Sequence, residues 1–100
     1  MKEIVYHKDA RAVSDFDAEE YAQQLLTCNS IETSNELVIN WARVLVAEGT
    51  LKEDLQVRFI NPWNGHEQVV PVNKRGRLSE YPHGCCDEHM RSLERLLRNV

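Results

Sequence analysis

Ala18, Tyr21, Ala22, Leu25 and Leu26 recur at i, i+3, i+4, i+7 and i+8, the spacing that lines one face of a helix. Asp17 precedes them with Glu20 three residues on, which predicts a capped helix start. Farther along, Thr33 and Glu36 have capping-box spacing and open a second helix that Gly49 closes. Leu37, Val38, Ile39, Trp41, Ala42, Val44, Leu45, Val46 and Ala47 make that helix apolar on most sides. Only a thin polar stripe of Glu36, Asn40 and Arg43 remains, so the helix is expected under a sheet or against a partner, with Trp41 in the core.

Strands show a different period. Ile4-Val5-Tyr6 is a short β-prone run, and Leu55, Val57 and Phe59 alternate with Gln56, Arg58 and Ile60, as in a strand with one face inward. Asn61-Pro62-Trp63-Asn64-Gly65 reads as a loop, and Val69, Val70 and Val72 as the returning strand of a hairpin. Pro71 cannot donate to a ladder, which places that strand at an edge. Asn73 to Gly84 reads as loop. Cys86, Met90, Leu93, Leu97 and Val100 then line one face of a last helix, with Asp87 and Glu88 in its first turn. The order β-α-(β)-α-β-β-α predicts an α/β fold in one small domain, residues 1–100. It has about three helices packed on a short mixed sheet, with a C-terminal β-hairpin and a terminal helix.

Composition narrows the function classes. The 100 residues, 42% hydrophobic, allow one modest core. A net charge of −4 argues against non-specific grip on a phosphate backbone, which depends on clustered Lys and Arg. The best local basic patch is Lys74, Arg75 and Arg77. No apolar run approaches the ~20 residues that span a bilayer, and the start Met1 to Tyr6 lacks a signal-peptide core, so a cytoplasmic location is expected. Three cysteines, two of them adjacent, form no even disulfide framework.

Three segments carry a more specific signal. Glu32-Thr33-Ser34-Asn35-Glu36 runs into Leu37-Val38-Ile39-Asn40 and on to Val46-Ala47-Glu48-Gly49. Leu51-Lys52-Glu53-Asp54-Leu55 leads into a strand. The third is Arg75-Gly76-Arg77-Leu78-Ser79-Glu80-Tyr81-Pro82-His83-Gly84-Cys85-Cys86-Asp87. From about Thr27 onward, the chain resembles the C-terminal portion of bacterial ABC-type AAA ATPases, the group related to the overcoming-lysogenization-defect and SMC-like ATPases and common in phage-defence loci. The resemblance implies an ATPase setting, yet the parts that grip nucleotide do not follow. The family's histidine on the γ-phosphate side of ATP falls at Ser34. A P-loop needs Gly-Lys-Ser/Thr, and the four glycines here precede Thr50, His66, Arg77 and Cys85.

Candidate chemistry is thin. His83, Cys85, Cys86 and His89 lie within seven residues and are the weak metal candidates. Adjacent cysteines do not easily face one metal, and the related ATPases carry aromatics there, so packing at a helix start competes with zinc. Cys28 completes a ligand set only if the fold brings it close. His7 with Asp9 and His66 with Glu67 are short local pairs without a recognisable nucleophile, better read as solvated loop residues, and Asp54 with Arg58 is only a faint echo of the paired carboxylates and Lys that a nuclease wants at a strand end. No catalytic or cofactor-binding residue is assigned.

The chain is therefore read as a non-catalytic interaction or regulatory subunit of an ATPase-containing bacterial defence or toxin–antitoxin-like system. It is expected to bind a protein partner, an ABC-type ATPase or an operon neighbour, through Trp63, Tyr81, Lys74, Arg75 and Arg77, and self-association is open to it. The alternatives are a small metal-dependent hydrolase or nuclease, and a nucleic-acid-binding accessory module.

Overall fold

Every second residue of Leu55–Ile60 is apolar and buried, and that period sets the inward face of the sheet. The computed structural model describes residues 1–80. In chain order these form β1 (Lys2–Tyr6), α1 (Ala18–Gln23) running into a 3-10 turn (Gln24–Leu26), β2 (Ser30–Thr33), α2 (Glu36–Ala47), β3 (Leu55–Ile60) and β4 (Glu67–Val72). The four-stranded sheet has the order β2-β1-β3-β4. β1 runs parallel to β2 and β3, and β4 pairs antiparallel with β3, so the sheet is mixed. Two α-helices are thus present among the described residues. The expected terminal helix, together with Tyr81, His83, Cys85, Cys86, Asp87 and His89, lies outside them.

Register explains the core. Ile4 stands opposite Ile31 on one side and Val57 on the other, Tyr6 opposite Phe59, and Val57 opposite Val70. These residues share a face, and they pack with Ala18, Ala22 and Leu25 of the first helical segment and Val38, Ile39 and Ala42 of α2. The small side chains of Ala18 and Ala22 let α1 lie close beside α2. Leu26, expected on the same apolar face, is exposed instead. The chain tightens into a 3-10 turn there, and three residues per turn carries Leu26 off the stripe that Leu25 continues.

The other face of the sheet carries charge. Arg58 in β3 donates to Glu3 of β1 at 3.1 Å and to Glu67 of β4 at 2.8 Å, and Gln56 also donates to Glu3. The Arg58 and Gln56 hydrogen bonds hold the Glu3 carboxyl below the usual carboxylate range. A depressed folded-state pKa adds stability above the unfolded-state value, and that stability is lost as pH falls through the folded value. Glu3→Gln is therefore expected to flatten the acid limb of stability between those two values. Thermal melts of both proteins at stepped pH test this, and parallel curves would show that Glu3 contributes nothing.

Both helix starts depart from the sequence expectation. Asp17 stands at the N-cap of α1 but makes no side-chain cap, because its carboxylate accepts from Ser14 Oγ at 2.9 Å. For α2 the cap is Asn35, whose Oδ1 accepts from the Leu37 N–H at 2.9 Å. Thr33 ends β2 and is fully buried, and its Oγ1 accepts from the Asn35 N–H at 2.9 Å. The capping box was displaced because β2 runs through Thr33, two residues too far for that residue to cap. The other end of α2 agrees with its sequence: Gly49 has φ +79°, Gly49 N–H donates to Val46 O and Thr50 N–H to Leu45 O, a Schellman closure.

The largest correction concerns the faces of α2. Val38, Ile39, Ala42 and Arg43 are its buried residues, whereas Trp41 and Val44 are each 37% exposed. At roughly 100° per residue the buried four cover one arc, and Leu37, Trp41 and Val44 fall opposite. Trp41 is thus not a core residue, and the polar position Arg43 is. Its aliphatic stem packs inside while its Nε donates to Gly76 O at 2.6 Å.

Candidate interaction surface

Parallel pairing places the loops that follow β1, β2 and β3 at one end of the sheet. In open α/β sheets this is the end where ligands usually meet the fold. Three of its features are built from hydrogen bonds. In the loop after β3, Asn61 Oδ1 accepts from the N–H groups of Trp63 at 2.8 Å and Asn64 at 3.3 Å. Gly65 N–H donates to Asn61 O at 3.0 Å, and Asn61 N–H to His66 O at 2.8 Å. Trp63 sits at the tip of this closed turn and is 78% exposed. After β1, Asn35 Nδ2 donates to Val13 O at 2.7 Å and Asp15 Oδ1 at 2.9 Å, tying the loop to the start of α2. Phe16 follows and is 98% exposed. Nearby, Arg11 lies over the Tyr21 ring at 5.6 Å, and the Tyr21 hydroxyl donates to Glu32 O at 2.8 Å.

At the far end of β4, the chain makes a second asparagine-headed turn. Asn73 Oδ1 accepts from Arg75 N–H at 2.9 Å and Arg77 N–H at 3.1 Å. Asn73 N–H donates to Arg77 O and Gly76 N–H to Asn73 O, both at 2.9 Å, and Val72 pairs with Leu78. The stretch read as open loop from Asn73 is therefore a closed turn that continues to Leu78. Lys74 and Arg75 are exposed and Arg77 half-buried.

The residues expected to bind a partner are consequently not gathered at one place. Six residues of β4 separate Trp63's turn from the basic one, about 20 Å of extended chain. Tyr81 lies outside the described residues. Phe16 and Trp41 were missed: Phe16 sits in a polar loop with no periodic signal, and Trp41 was assigned inward by its hydrophobicity.

The local charged pairs have structural partners. Arg58 engages Glu3 and Glu67 rather than Asp54, whose carbonyl accepts from Lys2 N–H at 2.8 Å. Glu67 is accordingly committed to Arg58, apart from any pairing with His66. His7 N–H donates to Thr33 O at 3.3 Å, which ties the start of its loop to the end of β2. Cys28 is exposed, and its carbonyl accepts from the buried Lys2 ammonium at 2.8 Å. Among the described residues no group of three or more His, Cys, Asp or Glu is placed to hold a metal ion. No helix among them is long and apolar enough to cross a membrane.

No family model, curated protein or solved structure matches the chain.

Proposed function

We propose that the chain is a non-catalytic interaction module of the cytoplasm that binds an ABC-type ATPase and regulates it, within a bacterial defence or toxin–antitoxin-like system. The observation that carries this reading is Trp63, 78% exposed at the tip of a turn fixed by hydrogen bonds. Leaving a large aromatic in water forgoes about 1.5–3 kcal/mol of burial, and a fixed tip costs little further ordering when a partner covers it. Phe16, at the same end of the sheet, adds a second apolar anchor. The ATPase as partner rests on the resemblance from about Thr27 to the end of the chain.

Purified chain mixed with an ABC-type ATPase from a neighbouring gene, where one is encoded, is expected to co-elute in size-exclusion chromatography with light scattering and to change its rate of ATP hydrolysis. Separate elution with unchanged hydrolysis would overturn the reading. Trp63→Ala is expected to leave the melting temperature nearly unchanged, within about 0.5 kcal/mol of stability, because the ring has little to lose on the free protein. Its affinity for the partner should fall by about 2 kcal/mol, roughly thirtyfold, as for a buried aromatic anchor. Titration calorimetry with both proteins measures that difference.

A further inference from the structure

We propose that the Asn73–Arg77 turn is a preformed cationic docking point for an acidic segment of a protein partner. The inference rests on the reading of the chain as a protein-binding module and adds a second contact at the opposite end of β4 from Trp63. Three other basic side chains have structural roles: Lys2 reaches Glu53 at 3.5 Å, Arg58 bridges Glu3 and Glu67, and Arg43 is buried against Gly76. Among the described residues Lys74, Arg75 and Arg77 form no ion pair, although the chain carries 16 acidic residues against 12 basic ones. Three cations within four residues, in an acidic protein, concentrate positive potential at one point.

The backbone beneath them is fixed. Asn73 holds the Arg75 and Arg77 N–H groups, and Arg43 Nε grips Gly76 O, so the turn is bonded to itself and to α2. Arg forks on a rigid backbone suit the planar carboxylates of Asp and Glu. A nucleic acid fits less well, because sequence-independent affinity for phosphate comes from many contacts, commonly about 6–10, and the remainder of this chain repels polyanions. A cleft of about 360 Å³ beside the turn has mixed lining, with Glu48, Glu53 and Asp54 against Lys52 and Lys74. Those carboxylates oppose Lys74, so Arg75 and Arg77 are expected to carry most of the attraction.

Fluorescence polarisation with a labelled Glu/Gly repeat peptide, and in parallel with single-stranded DNA of equal charge, tests the proposal on the intact chain. The peptide is expected to bind saturably and more tightly than the DNA, and to weaken several-fold as salt is raised. Lys74→Glu/Arg75→Glu should reduce peptide affinity about tenfold or more, with an unchanged circular dichroism spectrum because both side chains are exposed. Arg77→Gln alone should give a smaller loss, and Trp63→Ala none. Absent binding, binding that the double variant retains, or tighter binding of the DNA would each overturn the proposal. Peptide binding without ATPase binding would instead remove only the ATPase as partner.

Discussion

Replacing Gly76 with alanine is expected to lower the melting temperature by more than about 10 °C, an effect far larger than that of the same change at Gly49. Both glycines have positive φ, +80° and +79°, where an L side chain costs about 1–2 kcal/mol. Their surroundings differ. A Cβ on Gly49 meets nothing within 4 Å, whereas one on Gly76 falls 2.3 Å from Arg43 O and 3.1 Å from Ala47 Cβ. A backbone carbonyl inside α2 cannot swing aside, so the turn itself must move. That movement also breaks the Arg43 Nε bond to Gly76 O and leaves a buried guanidinium short of one acceptor, a further cost of about 1–3 kcal/mol. These two terms sum to about 2–5 kcal/mol before the clash itself is counted, and each kcal/mol shifts the melting point of a domain this size by about 4–8 °C. Thermal unfolding of Gly76→Ala and Gly49→Ala side by side checks the argument. Equal shifts would show that backbone conformation alone, without the close approach to α2, governs both positions.

The role of Gly76 also shows what kind of information the sequence withheld. Features set by neighbours in the chain were legible: the period of two in Leu55–Ile60, the edge position that Pro71 imposes on β4, and the Gly49 closure of α2. Features set by partners far along the chain were not. Arg43 reads as a solvent-facing charge until the turn 33 residues on supplies the carbonyl that lets it enter the core. Lys2 is likewise buried because Cys28 O, 26 residues away, receives its ammonium. Once Arg43 takes an inward position, helical geometry forces Trp41 out, so a single long-range bond reverses the assignment of two residues. The interaction surface divides in the same way. Trp63, Lys74, Arg75 and Arg77 stood out by residue type in loop segments, yet two asparagine side chains fix how they are presented, and the span of β4 keeps them apart. Phe16 carried no signal at all, since a lone aromatic among Ser14, Asp15 and Asp17 has no period to betray its direction.

Phe59→Ala is expected to cost about 3–5 kcal/mol, enough to leave a domain of ordinary stability marginal. Phe59 is 2% exposed in β3, which lies between β1 and β4, and it is the largest fully enclosed side chain of the described core. Its ring meets Tyr6 at 5.8 Å between centroids and 58° between planes, an inclined pairing that adds to the burial itself. Truncation would remove ring contacts on the inward face while the sheet holds the backbone in place, so the site cannot collapse to refill the space. Phe59→Leu should recover more than half of the loss, because it keeps an apolar side chain in most of that volume. Urea titrations separate the outcomes: the midpoint should fall with an unchanged slope for both variants. An alanine cost below about 1 kcal/mol would mean that the core does not close around this ring. The variant also probes the surface, because Phe59 precedes Asn61, the residue that heads the Trp63 turn, by only two positions. If the turn is held by its own hydrogen bonds, partner affinity per folded molecule should survive Phe59→Ala and be lost in Trp63→Ala. Loss of affinity in both would show that the tip depends on the core beneath it for its position.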